Sequence, residues 1–152
     1  MFVDHFDTFA LEGETITCEV DGFTVTARIE RDRDMGAPDK EQDGFWSSLD
    51  PSDAGYIGNR SKRTLQRRLA HEREVLRAWR GGEWFWCGIC LTVSRNGIDL
   101  TREYSNALWG IECNYPARGK ARVNAYLRDV ANELLGGALD EARQAIQGLI
   151  AA

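Results

Sequence analysis

Long apolar runs are missing from this 152-residue sequence, whose uninterrupted apolar stretches are only a few residues long. A helix that crosses a bilayer needs about 20 such residues, so none of these stretches predicts a membrane span. The first residues, MFVDHFDTFALEGE, are acidic and lack the positively charged start of a secretory signal peptide. We therefore expect a soluble cytoplasmic protein with no membrane partner.

Cysteine and histidine are also scarce, with four and two residues respectively. Four cysteines in a chain of this length do not make a disulfide scaffold, and we expect them to be thiols in a reducing cytoplasm. The sequence has neither a G-x-S-x-G motif nor a glycine-rich phosphate loop, and neither histidine stands in a recognisable catalytic setting. These absences favour a non-enzymatic protein, and we assign no catalytic residue, metal site or cofactor.

One short stretch, WCGIC at residues 86–90, comes close to the dithiol motif of redox enzymes. In those enzymes the first cysteine begins a helix, where the helix dipole and free amides stabilise a thiolate. Here, apolar residues alternate over residues 85–93 and lead into Asn96-Gly97, a pattern typical of a strand and a tight hairpin. A separation of three puts Cys87 and Cys90 on opposite faces of a strand. The sequence predicts structural thiols, which form neither a redox pair nor a zinc site.

Two segments with alternating apolar residues predict the sheet. Residues 15–29 form a hairpin around the turn Asp21-Gly22, with Cys18 in the core. Counting outward from the turn gives three pairs on one face, namely Val20 with Phe23, Cys18 with Val25 and Ile16 with Ala27. A meander over residues 84–115 follows, and one side of its last strand carries Ala107, Trp109, Ile111, Cys113 and Tyr115.

Two amphipathic helices complete the predicted fold. The first follows Ser61, a suitable N-cap, and ends at Gly81-Gly82. The second spans residues 121–150, where Gly136-Gly137 is expected to kink or divide it. The sequence thus predicts a single α+β domain over residues 1–152. It consists of an antiparallel sheet of about five strands with two helical segments packed on one face.

Charge is unevenly distributed along the chain. Residues 1–53 carry fourteen Asp/Glu against four Lys/Arg, whereas residues 60–80 carry eight Lys/Arg against two Glu. The basic helix over 60–80 offers phosphate-binding candidates for a nucleic-acid partner, which we treat as the less favoured alternative: Arg63, Arg67, Arg73 and Arg77. The competing interpretation is that this helix face pairs with the protein's own acidic loop.

That acidic loop is predicted at residues 31–59, which lack helical or strand periodicity and are dense in Asp and Gly. Its aromatic residues argue against disorder. The pattern Asp39-x-Glu41-x-Asp43-Gly44, followed by Asp50, imitates a calcium loop, but the closing Asp is short and Pro38 leaves no room for an entering helix. We assign no metal there, and a divalent-metal enzyme using this loop is the third alternative.

Three stretches resemble a group of small proteins that belong to plasmids and bacteriophages of proteobacteria: DGFWSSLDPSDAGYIG (43–58), SNALWGIECNYP (105–116) and YLRDVANELL (126–135). The similarity runs from about residue 40 to near the C-terminus. Small accessory proteins of mobile elements often counter host defence by binding a host protein, as anti-CRISPR and antirestriction proteins do. The resemblance implies such a context inside a bacterial host cell, and it assigns no catalytic residues.

The predicted function is therefore non-enzymatic binding and inhibition of a host protein complex, a defence system. We expect the acidic loop to make the contact, because its carboxylates can imitate nucleic-acid phosphates while its aromatic side chains supply anchoring area. The candidate partner-binding residues are Asp43, Phe45, Trp46, Asp50, Asp53 and Tyr56. The competing interpretation of the three aromatic residues is that they hold the loop to the core.

Overall fold

A five-stranded sheet organises much of the chain in the computed structural model, which describes residues 1–116 and 122–152. The strands are β1 (Thr15–Val20), β2 (Phe23–Arg31), β3 (Phe85–Arg95), β4 (Ile98–Asp99) and β5 (Ala107–Cys113). The helices are α1 (Pro38–Glu41), α2 (Lys62–Arg80) and α3 (Ala125–Ala151). β2 lies between β1 and β3, and both β4 and β5 pair with β3. The predicted α+β class with an antiparallel sheet of about five strands is confirmed.

The chain divides into two compact units. Unit 1 comprises Met1–Asp32 with Trp86–Ala152 and contains α3 and nearly all of the sheet, whereas unit 2 comprises Arg33–Phe85 and contains α1 and α2. The division into compact units does not test whether residues 1–152 form a single domain, and that expectation stays a prediction.

The β1–β2 hairpin has the predicted register. The observed pairs include Val20 with Phe23, Cys18 with Val25 and Ile16 with Ala27. Asp21 and Gly22 have φ of 52° and 80°, the positive values that a tight hairpin turn requires. Cys18 is only half-buried, whereas Ile16 on the same face of β1 is buried. Cys18 therefore lies on the predicted face of the hairpin, but the prediction that it is a core residue is wrong because the side chain is only half-buried.

β3 is the central strand, as predicted. Residues 84–91 are all buried, and the strand pairs with β2 in one continuous antiparallel register. Cys87 and Cys90 therefore lie on opposite faces of a regular strand. Asn96 and Gly97 have φ of 52° and 78° and close the hairpin to β4. The prediction that the two cysteines are packing residues of a strand is confirmed.

The face of the sheet that carries Cys90 is called the polar face below. Its members on β2 and β3 lie in the cross-strand pairs Thr26 with Thr92, Arg28 with Cys90 and Glu30 with Gly88. The opposite face carries the core side chains, which include Val25, Ala27, Ile29, Ile89, Leu91 and Val93. Residues two apart on a strand share a face, so the two sets alternate along both strands.

β5 departs from its predicted side-chain pattern. The ring of Trp109 lies against Gly88 on the polar face, whereas the thiol of Cys113 is hydrogen-bonded to that of Cys87 on the core face. Trp109 and Cys113 therefore lie on opposite faces, and the prediction that they share one side is wrong. Gly110 lies between them with φ of 74°, a backbone conformation that interrupts the alternation of a strand.

The helices confirm some details of the prediction and correct others. Ser61 caps α2, because its Oγ accepts a hydrogen bond from Thr64 N at 3.1 Å. α1 lies inside the segment that was predicted to be loop, and it begins at the buried Pro38, a residue suited to a first helical turn. α3 continues through Gly136-Gly137, so the helix is not divided there. The predicted start at residue 121 lies outside the described residues.

Side-chain amides fasten the N-terminal segment within unit 1. Asn132 accepts a hydrogen bond from Phe2 N and donates to Phe2 O, and Asn114 makes the same pair of bonds with Ala10. The buried Asn124 joins this network by donating to Asn114 Oδ1. In residues 1–116 and 122–152, no helix combines the length and the apolar character that crossing a membrane requires.

Candidate partner-binding pocket

The acidic segment of unit 2 is an ordered, hydrogen-bonded structure. Ser48 N donates to Gly55 O at 3.0 Å, and Ile57 N donates to Ser48 O at 3.0 Å. Ser48 and Tyr56 form a short parallel bridge between the two stretches. Asp50 builds the turn between them, because its Oδ1 accepts hydrogen bonds from the amide and the hydroxyl of Ser52. These bonds lower the pKa of Asp50, so this carboxylate is occupied in shaping the loop.

Two glycines allow the backbone to double back at close range. A Cβ on Gly55 would lie 1.8 Å from Trp46 O, and a Cβ on Gly44 would lie 2.6 Å from Ala54 O. Gly44 also has φ of 76°, which favours glycine. The stretches 44–46 and 54–55 thus lie backbone against backbone, and any side chain at Gly55 would push them apart.

Ser47 fastens this doubled segment to α2. Its amide donates to both carboxylate oxygens of Glu72, at 3.1 and 3.3 Å, and its hydroxyl also donates to Glu72 Oε1. Sequence reasoning missed Glu72, because it lies in a basic helix and belongs to no motif. The acidic segment is therefore tied to the helix through a carboxylate of the helix.

A pocket of about 610 Å³ opens beside α1. Its walls are residues 39–48 and 53–55. Four of the six predicted partner-binding residues line it, namely Asp43, Phe45, Trp46 and Asp53. The other two do not, since Asp50 shapes the turn and Tyr56 lies beyond the wall.

The aromatic residues divide between the two roles considered for them. Phe45 is buried, with 9% of its surface exposed, so it holds the segment to its surroundings. Trp46 packs edge-on against Phe45 with ring centroids 5.0 Å apart, yet it remains 38% exposed at the pocket. Tyr56 is 42% exposed. Phe45 is therefore a structural anchor, and Trp46 is the aromatic side chain available to a ligand in the pocket.

The pocket wall is strongly acidic. It carries four carboxylates and one ammonium, from Asp39, Glu41, Asp43, Asp53 and Lys40. Asp53 accepts a hydrogen bond from Ser48 Oγ at 2.5 Å, and Glu41 accepts one from Gly36 N at 2.9 Å. Asp39 Oδ1 is buried and accepts no hydrogen bond from any described residue. This oxygen is enclosed by protein, so it is the excess of carboxylates over ammonium that suits the wall to a ligand with N–H donors and positive charge.

The arginines of α2 make no ion pair with this acidic segment among the described residues. Arg77 instead lies between Glu74 and Glu83, with N–O distances of 2.5 and 2.7 Å, and these contacts raise its pKa. Arg63, Arg67 and Arg73 are exposed, and none of the three forms an ion pair or hydrogen bond within residues 1–116 and 122–152. Within the described residues of unit 2, the structure thus shows no ion pairs between the arginines of α2 and the acidic segment.

The cysteines have the electrostatic character of packing residues. The hydrogen bond with Cys113 and burial raise the pKa of Cys87, and burial together with Glu30 raises the pKa of Cys90 to about 11. A redox nucleophile requires the opposite shift, toward a thiolate at neutral pH.

No group of three or more His, Cys, Asp or Glu side chains is arranged to hold a metal ion in the part of the chain that the structure describes. The calcium-like pattern of residues 39–50 lies within that part and forms no such group. No protein-family model, no curated protein and no solved structure matches this chain.

Proposed function

We propose that this is a non-enzymatic binding protein, whose pocket beside α1 receives a cationic side chain of a partner protein. The observation that carries the proposal is a pocket wall with four carboxylates and one ammonium next to the half-exposed Trp46. Carboxylates that line a pocket attract a cation and accept hydrogen bonds from its N–H groups.

Arginine is the side chain that fits these groups best. Its planar guanidinium has five N–H donors, and it forms paired hydrogen bonds with carboxylates. It also stacks on an indole, an interaction that contributes about 0.5 to 2 kcal/mol. Asp39 and Asp43 would accept its hydrogen bonds while Trp46 covers its face.

The resemblance to plasmid and phage proteins supports a host defence complex as the partner. Such complexes bind nucleic acid through surfaces rich in Lys and Arg, and an acidic pocket with an aromatic wall complements that chemistry. Inhibition would then follow from occupation of the nucleic-acid-binding surface. This choice of partner rests on the resemblance, whereas the cationic nature of the ligand rests on the pocket.

The test is calorimetric titration with an arginine-containing peptide and with a peptide of equal length that carries glutamine in place of arginine. We expect Asp39→Asn to weaken binding of the arginine peptide at least about tenfold, the effect of losing one charge-assisted hydrogen bond. Because Asp39 Oδ1 accepts no hydrogen bond from any described residue, the same variant should unfold at an unchanged or higher temperature.

Asp99→Asn is the matched control, because it removes the same charge from an exposed residue of β4 in unit 1. It should leave the affinity unchanged. Equal weakening by Asp99→Asn would show non-specific attraction to net charge, and equal binding of the glutamine peptide would show that the pocket does not select a cation. Either result contradicts the proposal.

The second candidate function is nucleic-acid binding by α2, which is favoured by the exposure of Arg63, Arg67 and Arg73 without an ion pair to any described residue. We expect Arg63→Ala with Arg67→Ala to weaken a salt-dependent gel shift of DNA or RNA. Arg77→Ala is the control, because Glu74 and Glu83 already occupy that guanidinium. Absence of a shift at low salt would remove this candidate.

A further inference from the structure

A second aromatic surface lies in unit 1, on the polar face of the sheet. Tyr104 and Trp109 have ring centroids 5.9 Å apart at an angle of 55°, and they are 46% and 41% exposed. We call this pair the aromatic platform. Isolated exposed apolar residues are common on protein surfaces, whereas two adjacent exposed aromatic rings form a contiguous apolar surface that a partner can cover.

Two locally unfavourable features of the chain hold the two rings in place. Gly88 lies in the middle of the central strand, where glycine weakens a sheet, and its missing Cβ leaves the space that the indole of Trp109 fills. An added Cβ would lie 2.4 Å from Trp109 Cε3. Tyr104 has φ of 60°, a left-handed conformation that a bulky residue rarely adopts. Neither feature is needed to form the sheet itself, and both fix the positions of the two rings.

A chain of hydrogen bonds orients the tyrosine. Tyr104 Oη donates to Glu30 Oε2 at 3.2 Å, and Glu30 Oε1 accepts from Arg28 Nε at 2.9 Å and Nη2 at 2.5 Å. Arg28 and Glu30 are on β2, so the tyrosine is tied to the polar face of the sheet. The platform is thus held before any ligand arrives, which reduces the entropy lost on binding.

The charge around the platform is negative. Glu30 and Glu103 flank the Tyr104 hydroxyl, and Asp32 Oδ2 accepts a hydrogen bond from Gly110 N, the residue after Trp109. Arg28 pairs with one of these carboxylates, that of Glu30. Phosphate-bearing ligands would be repelled by this excess of negative charge, whereas a cation would be attracted. Burial, and then these glutamates, raise the pKa of Tyr104, so its hydroxyl stays protonated at neutral pH.

We propose that the aromatic platform is a binding site for an arginine side chain of a peptide segment, stacked on Trp109 and hydrogen-bonded to the neighbouring glutamates. A flat indole backed by a strand offers one open face, and a planar guanidinium can lie on it while its edge donates to Glu103 or Glu30. This site is on unit 1 and uses none of the residues of the pocket on unit 2. The proposal can therefore be tested independently of the proposed function.

A ¹H–¹⁵N titration of the five tryptophan indoles separates the two sites. The Trp109 and Trp46 signals are assigned from Trp109→Phe and Trp46→Phe, and the probe is a short peptide with a single arginine. We expect the Trp109 signal to shift saturably with this peptide and to stay unchanged with the glutamine version or with a dinucleotide. Asp39→Asn should weaken binding at the Trp46 signal at least about tenfold and leave that at the Trp109 signal unchanged.

Glu103→Gln should weaken binding at the Trp109 signal about tenfold, whereas Glu133→Gln, which removes the same charge from an exposed residue of α3, should not. Tyr104→Phe keeps the ring and removes the hydroxyl, so a smaller loss is expected. The proposal is overturned if the Trp109 signal does not move with the arginine peptide. It is also overturned if the dinucleotide shifts this signal, or if Glu133→Gln weakens binding as much as Glu103→Gln.

Discussion

Replacement of Gly55 with alanine tests whether the pocket of unit 2 is a fixed structure. The added Cβ would lie 1.8 Å from the carbonyl oxygen of Trp46 and 2.9 Å from its carbonyl carbon. Both are backbone atoms, so no side-chain rotation relieves the overlap. One of the two backbone stretches must move by about 1.2 Å before the Cβ–O distance reaches about 3.0 Å, a limit that van der Waals contacts rarely cross.

That displacement affects the hydrogen bonds that hold the segment. Ser48 N donates to Gly55 O itself, and Ile57 N donates to Ser48 O one step further on. Loss of each bond costs about 0.5 to 1.5 kcal/mol, and residual overpacking costs about 1 to 3 kcal/mol. We therefore expect the folded pocket segment to be destabilised by about 2 to 6 kcal/mol.

Hydrogen exchange at the Ser48 and Ile57 amides is the assay, since both amides are protected by the affected bonds. In Gly55→Ala, they should exchange at least about 30-fold faster, the equivalent of about 2 kcal/mol. Gly58→Ala is the control, because its Cβ would meet nothing within 4 Å and only its φ of 85° disfavours a side chain. It should cost only about 1 kcal/mol. Unchanged protection in Gly55→Ala would refute the close backbone approach.

Four further predictions concern stability and the thiols. Gly136→Ala should stabilise α3 by up to about 1 kcal/mol, seen as a higher urea midpoint, because its Cβ would point into open space. A thiol reagent should label Cys18 first in the native protein and reach Cys87 and Cys90 only after unfolding, as peptide mass spectrometry would show. The pKa of Cys90 is raised to about 11, so its contribution to stability is complete below about pH 8.5 and is lost as the pH rises through 11. The urea midpoint should fall across that window, and fall less in a Cys90→Ala variant. Asn124→Ala should lower stability by about 2 to 4 kcal/mol in thermal unfolding, because it removes three hydrogen bonds that the buried Asn124 makes with Asn114 and Asp7.

Several parts of the fold were predictable because they depend on neighbouring residues. Asp21-Gly22 and Asn96-Gly97 each specify a two-residue turn, and the turn fixes the register of the strands on both sides. Alternation over residues 85–93 then identified the central strand. Ser61 was predictable as a cap for the same reason, since its partner Thr64 is three residues away.

Other features depend on contacts between distant residues, and the sequence does not reveal them. The pocket exists because Gly44 and Gly55 let two stretches about ten residues apart meet backbone to backbone. Trp109 faces the polar side because Gly110 interrupts β5, and the pairing of that glycine with Asp32 has no local pattern. Gly136-Gly137 suggested a break, but α3 runs through both residues.

The central claim is that a guanidinium occupies the acidic pocket beside Trp46. Intermolecular nuclear Overhauser effects between an arginine peptide and the labelled protein test it most directly. We predict contacts from the arginine δ-methylene protons to the indole ring of Trp46, and an at least about tenfold higher peptide concentration to reach the same contact intensity in Asp39→Asn. A peptide that binds without any such contact to Trp46, or that gives the contact in Asp39→Asn at an unchanged concentration, would contradict the claim.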